Sequence, residues 1–322
     1  MQFTPIKFQM PLASGGIALM AFNYLHFAIP NAKDPMTVHD MLAADVTPLQ
    51  SGLDWLLIAL MLALSVFTVC AVLQCLAQWF TWRKNTAAYD KFMADTPPTL
   101  ATGCIPFASL AMTSLVVLGP LTFFIPALAA NLQAVMLPGL IVFGLLWAGL
   151  FRYTFTILKL WLVHPTDVEK LHFVWLLDAF SFGVVSLMGA SIAAQSTNTA
   201  VASIAAFGVL LSVVFGLLLL MVKFSYLIFL QLRAGTLPGK NFVPAYFLIT
   251  PMSCLYGFSV YKLAVYLHAH FAFDMQVGLF ASLLIPYVIA IGWGLFCVYL
   301  LWEYLTREFG KSDFAAPQWS MI

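Results

Sequence analysis

The chain has 322 residues, of which 62% are hydrophobic and 8% charged, and its formal net charge is +1. Soluble proteins carry about 25% charged residues, so this composition excludes a water-soluble globule. The near-neutral balance points neither to nucleic acid nor to a polybasic surface patch.

Apolar runs able to cross a bilayer, which takes about 20 helical residues, recur along the whole chain. In order they occupy 12–30, 52–82, 102–124, 128–162, 173–195, 200–233, 244–267 and 276–308. No cleavable leader is expected, because the first run lacks a basic leader and a small-residue cleavage site. The chain reads as an all-α polytopic membrane protein, a single transmembrane domain over 1–322.

The first run contains Gly15-Gly16, the third Pro106 and Gly119-Pro120, the fifth Gly183 and Gly189, the seventh Pro251 and Gly257. The even runs are longer and are expected to be unbroken. Their inner ends carry interfacial anchors such as Trp82-Arg83-Lys84 and Lys159-Leu160-Trp161. Broken helices are tolerated at membrane depth only where protein or a water-filled path satisfies the freed backbone groups. This pattern predicts quasi-symmetric helical hairpins, with short kinked inner helices and long outer helices around a central pore. The hairpins would span 8–82, 102–162, 173–233 and 244–308, with 314–322 as the start of a possible truncated fifth.

A short motif supports the repeat. It reads Pro11-Leu-Ala-Ser14, Pro106-Phe-Ala-Ser109, Asp178-Ala-Phe-Ser181, Pro251-Met-Ser-Cys254 and Pro317-Gln-Trp-Ser320. Ser14, Ser109 and Ser181 hold equivalent positions, with Ser253 and Cys254 near the fourth. Hydroxyls around an axis can coordinate a partly dehydrated anion weakly, as conduction requires. A serine can equally bond back to its own helix. With the adjacent Gly15, Gly183 and Gly257 these serines form the candidate pore lining. Phe180, Phe182 and Phe258 lie beside Ser or Gly in inner helices, as gate or as core.

Of 14 Lys and Arg, only Lys33 and Lys262 fall on or towards the side of the 31–51 loop. The basic majority marks the cytoplasmic face, which predicts a cytoplasmic N-terminus. Lys262 within the seventh run can attract an anion at an outer vestibule or snorkel to the interface. Asp178 reads as a helix N-cap, or as an intramembrane functional group. The five cysteines sit singly in apolar stretches and read as packing residues. No two helices offer facing histidines at matched depth, and there is no phosphate loop, metal-ligand cluster or catalytic constellation. Neither a cofactor, a metal nor an enzymatic role is expected.

The alternating short and long helices, the opening Phe8-Gln-Met-Pro-Leu-Ala-Ser-Gly-Gly16, the connection from Asp90 through Thr96-Pro97-Pro98 to Leu118, and the terminal Phe314-x-x-Pro317-x-Trp319-Ser320 together resemble the tellurite-resistance/dicarboxylate transporter family. This is the family of TehA-like proteins and slow anion channels. The resemblance implies an anion channel or transporter in a bacterial inner membrane. It implies a homotrimer with one mostly uncharged pore per subunit, and chloride, nitrate, sulfite or a dicarboxylate such as malate as substrate. The family's five hairpins exceed the four counted here, and its gating phenylalanine, which lies in the ninth helix, has no equivalent position to which it can be assigned. A second reading is a quinone-interacting membrane anchor of a respiratory oxidoreductase, with His172 and Asp178 as its polar groups.

Overall fold

The computed structural model describes residues 3–28, 36–42, 47–164, 167–309, 311 and 316–321, and among these there are helices and turns but no strand. Eight long helices are numbered here: α1 Gln9–Ala28, α2 Pro48–Lys84, α3 Ile105–Leu118, α4 Leu132–Val163, α5 Leu177–Gln195, α6 Thr199–Ala234, α7 Ile249–Phe271 and α8 Gln276–Leu300. Lys33 and residues 314, 315 and 322 of the expected fifth start lie outside the described residues. Within that tail Ala316–Met321 forms a short 3₁₀ helix.

Each odd helix is introduced by a short 3₁₀ segment: Pro5–Phe8, Thr102–Cys104, Phe173–Leu176 and Val243–Leu248. The repeat prolines Pro11, Pro106 and Pro251 then fall within the first three residues of α1, α3 and α7. There a missing N–H is harmless, because the first turn has no helical acceptor for it. They therefore start helices rather than kink them. The expected break at Gly119-Pro120 does occur: Gly119 closes α3 and Pro120 opens a separate turn, Pro120–Phe124. The ends of the outer helices follow local chemistry. Asn198 caps α6 by accepting from the Ala200 and Val201 amides, and Gly235 ends it at φ +65°.

Seven of these segments are long and apolar enough to cross a bilayer. The eighth expected span, α1, is not among them, since its second half carries Asn23, Tyr24 and His26. The outer helices are not free of breakers either, as Pro138 lies within α4 and Pro286 within α8. Nor does the last outer run continue unbroken, because α8 stops at Leu300 and a π turn follows at Tyr304–Glu308.

The four odd helices run parallel, with their N-termini at the end rich in Lys and Arg. α3 packs on α1 and on α5, and α5 packs on α7; each also packs on the long helix that follows it. Burial separates the two sets. Of its most apolar stretch, 94% is buried in Phe173–Gln195 and 67% in Pro97–Phe124, against 11% in Gln276–Leu300 and 22% in Leu132–Val163. The ring is completed differently between α7 and α1, where the Ala316–Met321 turn contacts both α1 and the segment leading into α7.

Glycine allows the close helix approaches. A Cβ at Gly257 would lie 2.3 Å from Pro286 of α8, and one at Gly15 would lie 2.8 Å from Met112 of α3. Small residues at crossings are how helices gain dispersion contacts where the surrounding lipid is as apolar as they are.

Candidate functional site

Three spaces lie in sequence along the ring of inner helices. At the basic end a vestibule of about 910 Å³ is lined by Ile6, Thr102, Lys170, His172, Val174 and Phe242, among others. One turn deeper, a cavity of about 410 Å³ is bounded by Gln9, Gly16, Met112, Leu177, Phe180, Thr250, Cys254 and Trp319. A narrow space of about 40 Å³ follows towards the opposite end, with Leu115, Ser191, Gln195 and Lys262 on its wall. The cavity and the narrow space share Leu19, Asn23, Leu187 and Phe258. These four residues, contributed by α1, α5 and α7, form a throat. The order Ile6, Gln9, Asn23 on and before α1 is matched by Val174, Leu177, Leu187, Gln195 on and before α5, which fixes the sequence of the spaces.

Phe258 is the sequence-predicted residue best placed to obstruct this path. It borders both the cavity and the narrow space, stacks at 5.6 Å on Tyr261, and lies 5.6 Å beneath the Lys262 ammonium. Phe180 lines the cavity below it. Phe182 points elsewhere: it is fully buried, with its ring 4.8 Å from Phe151 and 5.1 Å from Phe215. These two rings, one from α4 and one from α6, hold it, so it belongs to the packing between α4, α5 and α6.

The seven candidate lining residues are likewise placed off these walls. Ser14, Gly15, Ser109, Ser181, Gly183, Ser253 and Gly257 are not among the residues lining the cavity or the narrow space. Three hydroxyls turn back on their own helices: Ser14 donates to the Pro11 carbonyl, Ser181 to that of Leu177 and Ser253 to that of Thr250. Ser14 also bonds Thr68 of α2 at 2.8 Å, while Ser109 is fully buried without a partner. Gly183 faces Leu255 and Tyr256 of α7. The repeat does mark the inner helices, but of its final positions there only Cys254 lines the cavity. The cavity is lined by neighbours one to four residues away, such as Ala13, Gly16, Thr250 and Cys254.

Asp178 is not an N-cap. It is the second residue of α5, fully buried, and its Oδ2 lies 2.5 Å from Lys223 Nζ of α6, which is itself 2% exposed. Asp178 Oδ1 accepts from the Ala179 amide, and Lys223 Nζ also donates to the Trp175 carbonyl between the rings of Trp161 and Trp175. A lysine assigned by charge bias to the membrane surface is thus drawn into the helix interface. His172 does not join Asp178, as a quinone site would require; it stacks on Phe242 at 3.8 Å. Burial lowers the His172 pKa from 6.5 to about 4, so the vestibule carries a neutral imidazole near pH 7.

Gln9, Asn23 and Thr250, polar residues of the cavity wall, escaped sequence reading. Each is a single uncharged polar residue in an apolar helix, and nothing in composition separates a pore-facing amide from a helix-facing one. The signal that existed was periodicity: Gln9, Leu12, Ala13, Gly16, Leu19, Met20 and Asn23 follow a helical i, i+3, i+4 stripe. None of the residues lining the 410 Å³ cavity carries a formal charge. Such a wall, narrowed by rings and leucines and approached past a lysine, leaves room for a small solute.

In comparison with known proteins, a family model described as SLAC1, voltage-dependent anion channel, matches residues 2–322. No curated protein and no solved structure matches the chain.

Proposed function

The chain belongs to the voltage-dependent anion channel family, and from that premise we propose that anions cross through the vestibule, the cavity and the throat, with Phe258 as the gate. The observation that carries this reading is the throat itself, where one aromatic ring borders the spaces on both sides. Lys262 beside it would raise the local anion concentration at the far mouth. Four inner helices direct their N-terminal, positive dipole ends towards the vestibule, which favours anions there as well. Swinging Phe258 away from Lys262 forfeits a cation–π contact worth about 0.5–1 kcal/mol, a cost small enough for a gate that opens reversibly. Substrates in this reading are small inorganic anions such as chloride, nitrate and sulfite, or a dicarboxylate such as malate. The N-terminus lies in the cytoplasm of a bacterium whose inner membrane holds the protein as a homotrimer, with the exposed apolar faces of the outer helices against lipid and neighbouring subunits. The uncharged cavity wall and the family together favour transport over a quinone-anchor role.

The test is flux of each anion in proteoliposomes containing only this protein. Phe258→Ala is expected to raise flux about tenfold, the factor given by lowering a barrier by about 1.4 kcal/mol. Lys262→Gln is expected to lower flux at low ionic strength and to matter less at high salt. A Phe258→Ala protein that conducts no faster than the wild type would remove Phe258 as the gate.

A further inference from the structure

Two polar groups at the vestibule end of the cavity have no partner among the described residues. Gln9, the first residue of α1, is 6% exposed and lines the cavity, and its Oε1 is buried without a hydrogen bond. Thr250, the second residue of α7, lines the same cavity, and its Oγ1 is likewise buried and unpartnered. The two helices border the cavity without packing on each other as the other inner pairs do. Buried polar groups in native proteins almost always find a partner. Two orphans on one small cavity therefore point to a partner that comes from outside the chain.

We propose that the Gln9 amide and the Thr250 hydroxyl form a binding subsite for a partly dehydrated monovalent anion such as chloride or nitrate. The proposal deepens the transport reading above and rests on it. The terminal torsion of a glutamine is broad and nearly two-fold, so the amide can present Nε2–H to an anion or Oε1 to one of its remaining waters. The threonine hydroxyl rotates to donate. Both groups are neutral, and no lining residue supplies a positive charge. Each charge taken out of water must be offset by a countercharge or by dense hydrogen bonding. Neutral donors suffice for one negative charge but not for the two of a dicarboxylate. They also hold the ion weakly, which lets it leave. Position agrees with this role: Gln9 lies one helical turn beyond Ile6, so an anion leaving the vestibule meets this amide first.

The experiment measures chloride NMR line broadening by the detergent-solubilised full-length protein, with nitrate and malate as competitors. Flux in proteoliposomes is measured on the same preparations. The variants are Gln9→Met and Thr250→Val, each close in shape to the native side chain. Either change is expected to weaken chloride binding about two- to tenfold, the factor implied by losing one neutral hydrogen bond. Nitrate should compete and malate should not. Should Gln9→Met not elute as a monodisperse folded protein, Thr250→Val carries the comparison. Absence of chloride broadening with the wild type, or unchanged broadening in a folded variant, overturns the subsite. Competition by malate as effective as by nitrate overturns its preference for single charge. Chloride binding that is lost in the variants, from a wild type that passes no anion, sustains the subsite and refutes transport instead.

Discussion

Breaking the Asp178–Lys223 pair should be among the most damaging single changes to this fold. In Lys223→Met the methionine keeps much of the contact with the Trp161 and Trp175 rings, whose centroids lie 4.0 and 4.6 Å from the ammonium. What disappears is the countercharge 2.5 Å from Asp178 Oδ2, at a site where the two side chains are 3% and 0% exposed. The carboxylate then retains only the Ala179 amide at 2.7 Å. Removing one partner of a buried pair costs about 3–5 kcal/mol, because the other charge is left uncompensated. At roughly 2–4 °C per kcal/mol, even 3 kcal/mol lowers the unfolding midpoint by about 6–12 °C. The double variant Asp178→Leu, Lys223→Met should regain most of this loss, since replacing both charges by apolar groups is often neutral. Thermal unfolding in detergent, followed by tryptophan fluorescence, reads the full double-mutant cycle, and a coupling energy above about 2 kcal/mol is expected. A Lys223→Met protein within about 1 kcal/mol of wild type would mean that water reaches the pair and that apolar contacts alone hold α5 to α6.

Two further outcomes follow from packing and titration. Gly189→Ala should cost about 1–3 kcal/mol, because its Cβ would fall 2.6 Å from the Phe143 ring and 2.7 Å from Val209; Gly144→Ala, with open space around it, should instead gain up to about 1 kcal/mol of helix propensity. Unfolding midpoints of the two variants should therefore move in opposite directions, and equal shifts would contradict the packing described. For His172, the folded pKa near 4 lies below the unfolded 6.5, so between these values only the unfolded chain takes up the proton. Its contribution is complete above pH 6.5 and is lost as pH falls towards 4, by up to about 3 kcal/mol. His172→Phe, which can still stack on Phe242, should flatten that part of the stability–pH curve; an unchanged slope would assign the loss to other groups.

The sequence by itself determined the class of the protein. Low charge and recurrent apolar runs dictate membrane helices, because the backbone in hydrocarbon must satisfy its own hydrogen bonds. The prolines of the repeat mark where inner helices begin, and charge bias separates the two ends of the bundle. Local chemistry reaches that far because it depends on neighbours in the chain. It does not reach helix rotation. Whether Ser14 or Gly16 faces the axis, and whether Phe182 or Phe258 borders the path, depends on turning a helix by one or two residues. In chains this apolar every face is chemically permissible, so only the packing of α1, α3, α5 and α7 on one another decides it. The same holds for Asp178 and Lys223, 45 residues apart: the one reads as a helix cap or an intramembrane group and the other as part of the basic end, until the α5–α6 interface encloses both. The tertiary structure therefore decided which uncharged polar residues meet the cavity, Gln9, Asn23 and Thr250 among them, because a hydrogen-bonding group acquires its role only from what stands opposite it.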